Sequence, residues 1–177
     1  MIYTNEIEYR ECQRRIEIQE KKDRKIMAMV LTEVFADKVN SFMITNLPKS
    51  AYIDLTMTIS HKGVQKVYDF EIKERNKDIV KYPTAELKQK KLNEMMAVSN
   101  PSNALYYAVL VNQSELFLYD VRAIDWDSLQ TVNWNIKKRQ MEDGCKSQTE
   151  LTYIIPISLA SYRMDVRHIY NRLKETE

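Results

Sequence analysis

The chain has 177 residues, of which 44% are hydrophobic and 29% charged, with a formal net charge of +2, and this length predicts one compact domain with a buried core. Its two glycines, Gly63 and Gly144, lie far apart, which excludes glycine-rich phosphate-binding loops and the nucleophile elbow of hydrolases. Its two histidines and two cysteines are widely separated and offer neither zinc-ligand spacing nor a disulfide framework.

The charge and apolar patterns also indicate where the protein works. The polar N-terminus does not resemble a signal peptide, and the longest apolar run, Ala104 to Val111, is too short to span a bilayer. We therefore expect a reduced, cytoplasmic protein that does not bind membranes. A net charge of +2 does not by itself indicate nucleic-acid binding, although a local basic patch is sufficient for binding.

A long helix is predicted over residues 5–37 because no proline or glycine interrupts them. Its first part has balanced charges and only a thin apolar stripe, so we expect a solvated helical arm with a break between Gln19 and Asp23. After residue 24, apolar residues repeat at the spacing of a core-facing helix: Ile26, Met29, Val30 and Val34. We therefore divide the chain into an arm, residues 1–24, and one domain, residues 25–177.

Strands and helices alternate in the rest of the chain. Strands are predicted over Val39 to Thr45, Tyr52 to Ile59 and Lys66 to Lys73, and a helix over Ala85 to Val98. Later strands are predicted over Leu105 to Val111, Glu115 to Val121, Val132 to Gln140 and Leu151 to Ile157, with a short helix near Asp125 to Leu129 and a terminal helix from Met164. This order indicates an α/β (α+β) domain with a central mixed sheet flanked by helices.

The second and third predicted strands bring acidic side chains together. If Lys62 and Gly63 form a two-residue turn, Asp54 lies opposite Glu71, and Lys73 shares their face of the hairpin. A four-residue turn gives the same pairing, whereas a bulged three-residue loop shifts it by one residue. Two carboxylates that face each other repel unless a cation lies between them. Oxygen ligands with room for water and a phosphate suit Mg²⁺ or Mn²⁺ better than zinc.

The flanking helices add three further candidates. Glu33 lies within the apolar stripe of the first helix, where a carboxylate needs a partner. Lys88 and Lys91 align with apolar residues of the predicted second helix and could point back towards the carboxylates. Asp69 shares the face of Glu71, and we interpret it as a surface side chain.

Together these residues resemble the PD-(D/E)XK nuclease superfamily, which includes restriction-endonuclease-like and Holliday-junction-resolvase-like proteins. The resemblance extends from about Lys25 to Val121 and departs from the pattern in one place, because no proline precedes Asp54. The motif Asp/Glu-x-Lys also occurs at Glu20, Asp23 and Glu86, but in predicted helices, where the spacing separates the two side chains. Only the copy at Glu71 lies on a strand opposite another acid.

The resemblance implies a core with the order αβββαβ and Mg²⁺- or Mn²⁺-dependent hydrolysis of nucleic-acid phosphodiester bonds. It implies that Asp54, Glu71 and the carbonyl of Ile72 are metal ligands and that Glu33 completes the site through a water or a second metal. Lys73 would orient or activate the attacking water, and Lys91 or Lys88 would contact phosphate. It favours DNA over RNA as the substrate, and an endonuclease of phage or mobile-element type that could act as a homodimer.

Further basic and aromatic residues are candidates for nucleic-acid contacts. Besides Lys88 and Lys91, they are Arg75, Tyr82, Lys137, Lys138 and Arg139. Two other interpretations remain open. The hairpin could be an ordinary antiparallel ribbon with its polar face in water. Alternatively, the chain could be a catalytically inactive nucleic-acid-binding or assembly module with the nuclease-like fold.

Overall fold

The computed structural model describes residues 6–48, 51–136 and 148–175. Three helices lie in these ranges: α1 (Glu6–Phe35), α2 (Gln89–Val98) and α3 (Arg167–Glu175). The strands are β1 (Ser41–Asn46), β2 (Leu55–His61), β3 (Val64–Arg75), β4 (Thr84–Lys88), β5 (Ala104–Val111), β6 (Glu115–Asp120), β7 (Thr131–Ile136), β8 (Gln148–Pro156) and β9 (Tyr162–Asp165). Two single-turn 3-10 helices cover Trp126–Ser128 and Ile157–Leu159. Within the described ranges, no helix is both long and apolar enough to cross a membrane.

The central sheet contains six strands in the order β1-β2-β3-β5-β6-β9. Strands β3 and β5 are parallel, and the other neighbours in this sheet are antiparallel. A second sheet of three antiparallel strands has the order β4-β8-β7. The predicted fold class, a mixed central sheet flanked by helices with an αβββαβ core, is therefore confirmed, with β4 added between β3 and α2.

Each face of the central sheet is covered by a separate apolar cluster. Helices α1 and α3 cover one face, where Ile26 and Leu173 pack with Leu55 and Phe70 of the β2–β3 hairpin. Helix α2 and the second sheet cover the other face, with members such as Met95 and Ile155. Strand β5 lies between the clusters and is almost continuously apolar, as expected for a strand buried on both faces.

The predicted turn and register of the β2–β3 hairpin are confirmed. His61 pairs with Val64 and Leu55 with Phe70, so Lys62 and Gly63 form a two-residue turn. Both turn residues have positive φ, 50° and 78°, as a type I′ turn requires. Asp54 lies one residue before β2, and its backbone N–H donates at 2.9 Å to the carbonyl of Phe70, the partner of Leu55, so the regular pairing with β3 ends at Leu55.

The structure corrects two helix predictions in the N-terminal half of the chain. Helix α1 runs without the predicted break near Gln19. The helix predicted from Ala85 begins only at Gln89, because the preceding residues form β4 and pair with β8. Ala85 and Leu87 are buried while their neighbours are not, so burial at every second position overrides the helical pattern there. The division into an arm and a domain after residue 24 stays a prediction.

The C-terminal elements differ from the prediction in one further place. Met164, the predicted start of the last helix, lies in β9, and α3 begins at Arg167. Strand β9 pairs with β6 at the edge of the central sheet, a contact between segments far apart in sequence. The strand predicted over Val132 to Gln140 corresponds to β7, and its last four residues lie outside the described ranges.

Candidate active site

A cleft of about 960 Å³ lies beside the C-terminal half of β3 and contains most of the predicted site residues. Its described lining carries eight acidic and six basic side chains. The acids are Glu20, Asp23, Asp54, Glu71, Glu74, Glu86, Glu94 and Glu150, and the bases are Arg24, Lys73, Arg75, Lys88, Lys90 and Lys91. The cleft is thus rich in carboxylates although the whole chain has a net positive charge.

Asp54 lies just before β2, and both of its carboxylate oxygens accept hydrogen bonds. The backbone N–H of Ile72 donates to Oδ2 at 2.9 Å, which attaches the carboxylate to β3. Arg24 of α1 donates to Oδ1 from Nε at 3.1 Å and from Nη2 at 2.8 Å. Asp54 therefore connects the central sheet with α1 and presents one oxygen to a protein cation.

Glu71 is buried on β3, with 8% of its surface exposed. Nζ of Lys91 lies 2.8 Å from Oε2, so this oxygen is held in an ion pair with α2. Burial, followed by the neighbouring charge of Asp54, raises the pKa of Glu71 to about 7, although Lys91 lowers it. A buried carboxylate of raised pKa, next to a second carboxylate, is the arrangement that a bound cation stabilises.

The predicted lysines lie at the same cleft but have different partners. Lys73 is exposed, and its charge lowers the pKa of both Asp23 and Glu71, against the larger raising effect of burial. Lys91 contacts Glu71, whereas Lys88 forms an ion pair with Glu150 of β8 at 2.6 Å. Of the two candidates for an inward lysine, Lys91 is therefore the one that reaches the carboxylates.

The remaining candidates for nucleic-acid contacts lie in three different places. Arg75 lines the cleft at the end of β3. Tyr82 is 53% exposed in the loop before β4 and is not among the described residues that line the cleft. Lys137, Lys138 and Arg139 lie outside the described residues.

The structure does not bring Glu33 to this site, which corrects the prediction from the resemblance. Its carboxylate contacts His168 at 2.7 Å and also Arg172, both on α3. These contacts, that of His168 first, lower the pKa of Glu33. Glu33 lies nine residues beyond Arg24, or about 13 Å along the helix axis, so it cannot reach Asp54. Helix α3 therefore supplies the cationic partners that we expected for a carboxylate in the apolar stripe.

Helix α1 instead contributes side chains that the sequence analysis assigned to the arm. Gln19, Glu20, Asp23 and Arg24 all line the cleft. Gln19 donates from Nε2 to Asp23 at 2.7 Å and also to Glu74 of β3. Burial raises the pKa of Asp23 to about 6, against the lowering effect of the Gln19 hydrogen bond. The spacing of Asp23 in the sequence indicates that it faces the protein interior. It lies one helical turn before the core residue Met27, on the same face of the helix.

Asp69 is buried, which corrects its interpretation as a surface side chain. It is 4% exposed and accepts hydrogen bonds from Thr56 Oγ1 at 2.8 Å, Ser99 Oγ at 2.8 Å and Asn103 Nδ2 at 2.9 Å. These partners come from β2 and from the segment between α2 and β5. Asp69 therefore anchors that segment to the central sheet.

We expect Asp69→Ala to destabilise the fold by about 3 kcal/mol, because it leaves several buried donors without an acceptor. Urea unfolding followed by circular dichroism measures the change. Asp37→Ala, at an exposed position after α1, is the matched control and should change the free energy of unfolding by less than about 0.5 kcal/mol. Unchanged stability together with weaker binding of a divalent ion would instead identify Asp69 as a ligand.

The residues at the cleft fit a hard divalent cation. The described chain has no cluster of three or more His, Cys, Asp or Glu side chains able to hold a metal ion. The available set is two carboxylates, Asp54 and Glu71, supplemented by the Ile72 carbonyl and water. Oxygen donors alone, with room for water, match Mg²⁺ or Mn²⁺ rather than zinc. The observation that supports this fit is that Asp54 and the buried Glu71 lie in one cleft, close enough for the charge of Asp54 to raise the pKa of Glu71.

The candidate site thus lies in a cleft beside a mixed six-stranded sheet that is flanked by helices. Among solved structures, the chain is similar to Hjc, a Holliday junction resolvase from the archaeal hyperthermophile Archaeoglobus fulgidus. The two share 10% sequence identity with a TM-score of 0.45, over 85% of this chain and 96% of the resolvase. No protein-family model and no curated protein matches the sequence. The side chains of the cleft are therefore the main source of information about function.

Proposed function

We propose that the protein is a metal-dependent nuclease that hydrolyses phosphodiester bonds, with DNA as its substrate. One observation carries this proposal: Asp54 and Glu71 meet in a single cleft, and Lys73 and Lys91 line the same cleft. Glu71 is buried beside Asp54, and its pKa is raised in spite of the ion pair with Lys91. A site for a cation and an anionic substrate accounts for both the surplus of carboxylates and the lysines among them.

In this proposal Asp54, Glu71 and the carbonyl of Ile72 hold Mg²⁺ or Mn²⁺. When bound, the ion supplies charge for the phosphate and a water of lowered pKa. Lys73 lines the cleft, acts electrostatically on Glu71 and is exposed, so it is available to position the attacking water. A metal ion bound at Glu71 would neutralise this carboxylate in place of Lys91, and Lys91 would then be free to bind a phosphate oxygen.

The other functional residues follow from their positions around the cleft. Asp23 or Glu20 of α1 takes the role that the resemblance assigned to Glu33, either as a ligand through water or beside a second ion. Arg75 and Lys88 contact the phosphate backbone further along the cleft. Contacts from Tyr82, Lys137, Lys138 and Arg139, the phage or mobile-element origin and the homodimer stay predictions.

A catalytically inactive nucleic-acid-binding or assembly module is the second candidate. Both central carboxylates form ion pairs within the protein, Asp54 with Arg24 and Glu71 with Lys91. These ion pairs favour the inactive module, because a site that no longer binds a metal ion needs protein cations to neutralise its carboxylates. The two candidates differ in their response to Mn²⁺. A site with intact ligands raises the unfolding temperature as the ion concentration rises, whereas a degenerate site does not.

The test is a cleavage assay on supercoiled plasmid, single-stranded DNA, a four-way DNA junction and a matched RNA duplex. We expect cleavage of at least one DNA substrate with Mn²⁺ or Mg²⁺ and none with EDTA. The preferred substrate then defines the subclass of nuclease. Tight binding without cleavage of any substrate, at every ion concentration tested, would favour the inactive module.

A further inference from the structure

Arg24 holds the oxygen of Asp54 that a metal ion would need. Its guanidinium donates twice to Oδ1, while the other oxygen is held by the backbone N–H of Ile72. Both partners are largely buried, with 15% of the Arg24 side chain and 17% of the Asp54 side chain exposed. A divalent ion at Asp54 would therefore lie within a few ångströms of a fixed positive charge, which repels it.

The positions of the two ion-paired cations indicate a second partner for Arg24. Arg24 comes from α1 and Lys91 from α2, and these helices cover opposite faces of the central sheet. The two cations thus approach the Asp54–Glu71 pair from both sides and line the same cleft. An anionic group that enters the cleft meets both of them. A guanidinium binds phosphate oxygens with the same two-pronged geometry that it uses for carboxylates.

We propose that Arg24 is a phosphate-binding residue that moves from Asp54 to the nucleic-acid backbone when substrate enters the cleft. The inference rests on the proposed function and extends it, because it makes the divalent ion and the nucleic acid bind cooperatively. Nucleic acid draws Arg24 away and frees Oδ1 for the ion, and the ion in turn frees Arg24 for phosphate. Linkage requires each ligand to raise the affinity of the other by the same factor.

Arg24 and Lys91 pair with proposed ligands, Asp54 and Glu71, whereas the other described bases of the cleft do not. Lys88 and Lys90 form ion pairs with Glu150 and Glu94, which are not in the proposed ligand set. Their release would leave the affinity for the ion unchanged. Arg24 alone among the described residues forms an ion pair with Asp54, so its removal changes the ion site directly.

The experiment measures two affinities for wild type and variants, with Ca²⁺ as the probe ion and a fluorescently labelled four-way DNA junction as the probe ligand. Calorimetry gives the dissociation constant of Ca²⁺ with and without saturating junction. Fluorescence anisotropy gives that of the junction in Ca²⁺ and in EDTA, and gels verify that the strands stay intact. The variants are Arg24→Gln, Arg24→Lys and the control Arg15→Gln, which removes an exposed arginine from the same helix.

For wild type we expect each ligand to lower the dissociation constant of the other by about 10-fold or more, and by the same factor in both directions. Arg24→Gln should bind Ca²⁺ about 10-fold more tightly than wild type in the absence of DNA, and its coupling factor should fall below about 3. Arg24→Lys keeps the charge without the two-pronged donor, so its coupling should be intermediate. Arg15→Gln should couple the ligands as wild type does.

Three results would overturn the proposal in distinguishable ways. If Arg24→Gln leaves Ca²⁺ affinity and coupling at wild-type values, Arg24 does not exchange partners, although the nuclease proposal stands. If wild type binds both ligands independently, the same conclusion holds. If wild type binds neither Ca²⁺ nor the junction, the proposed function itself fails, and this inference fails with it.

Discussion

Replacement of Glu71 or Lys73 by alanine is expected to lower metal-dependent cleavage about 10³-fold or more, which corresponds to about 4 kcal/mol of lost transition-state stabilisation. Glu71→Ala removes one of two carboxylates in the proposed ligand set, and the other alone cannot fix the ion. Lys73→Ala removes the exposed cation beside Glu71, and with it the group proposed to position the water. Asp54→Ala should match Glu71→Ala, because the two form one site.

The controls for this experiment come from the same cleft and the same helices. Lys90→Ala removes a lysine that lines the cleft but pairs with Glu94 of its own helix, so we expect near wild-type cleavage. Glu33→Ala should also retain cleavage, because the structure places Glu33 beside His168 and Arg172 of α3. Circular dichroism verifies that each variant is folded. Wild-type cleavage by both Glu71→Ala and Lys73→Ala would remove the basis of the proposed site.

The β2–β3 hairpin could be predicted from sequence because its determinants are local. Lys62-Gly63 supplies the backbone conformation of a two-residue turn, and alternating apolar residues fix which face is buried. Turn and alternation together fix the register, and the register places Asp54 and Glu71 side by side. The core of the candidate site is thus encoded within about 20 residues.

The contribution of the first helix could not be predicted in the same way. The apolar stripe after residue 24 shows which face of α1 is buried, but not where along its length the sheet edge passes. That position depends on the packing of α3 and β3 against α1, elements that are separated from α1 by more than 25 residues of chain. The sequence pattern therefore predicts Glu33 as the acid that α1 contributes, whereas in the structure Asp23 of the same helix lines the cleft.

The second sheet was missed for a related reason. Strand β4 forms only because β8, far along the chain, pairs with it, and Thr84 to Lys88 in isolation resemble the start of a helix. Short-range patterns contain no information about such pairing. This error matters for the site, because β4 and β8 contribute Glu86 and Glu150 to the cleft and hold Lys88 away from Glu71.

Glu71→Gln is expected to stabilise the metal-free protein at pH 8 by about 2 kcal/mol while abolishing its stabilisation by Mn²⁺. Burial and Asp54 raise the pKa of Glu71 from 4.5 to about 7 in the folded protein. Folding therefore favours the protonated form. The stability from this group is fully present below pH 4.5 and is lost as the pH rises through about 7. Glutamine stays neutral throughout and avoids this loss, although it leaves Lys91 without its carboxylate partner.

The measurement is thermal and urea unfolding of wild type and Glu71→Gln in EDTA from pH 5 to pH 8.5, repeated with Mn²⁺ at pH 8. The two curves should lie within about 1 kcal/mol of each other at pH 5, separate up to about pH 7, where folded Glu71 keeps the proton that the unfolded chain has lost, and run parallel at higher pH. The raised pKa of Asp23 produces the same trend in both proteins, so the difference between them isolates Glu71. Glu94→Gln, at another carboxylate of the cleft, is the control and should follow wild type at every pH. A Glu71→Gln protein that is less stable than wild type at pH 8 would show that Glu71 is held by its ion pair with Lys91. An equal gain from Mn²⁺ in both proteins would place the ion elsewhere.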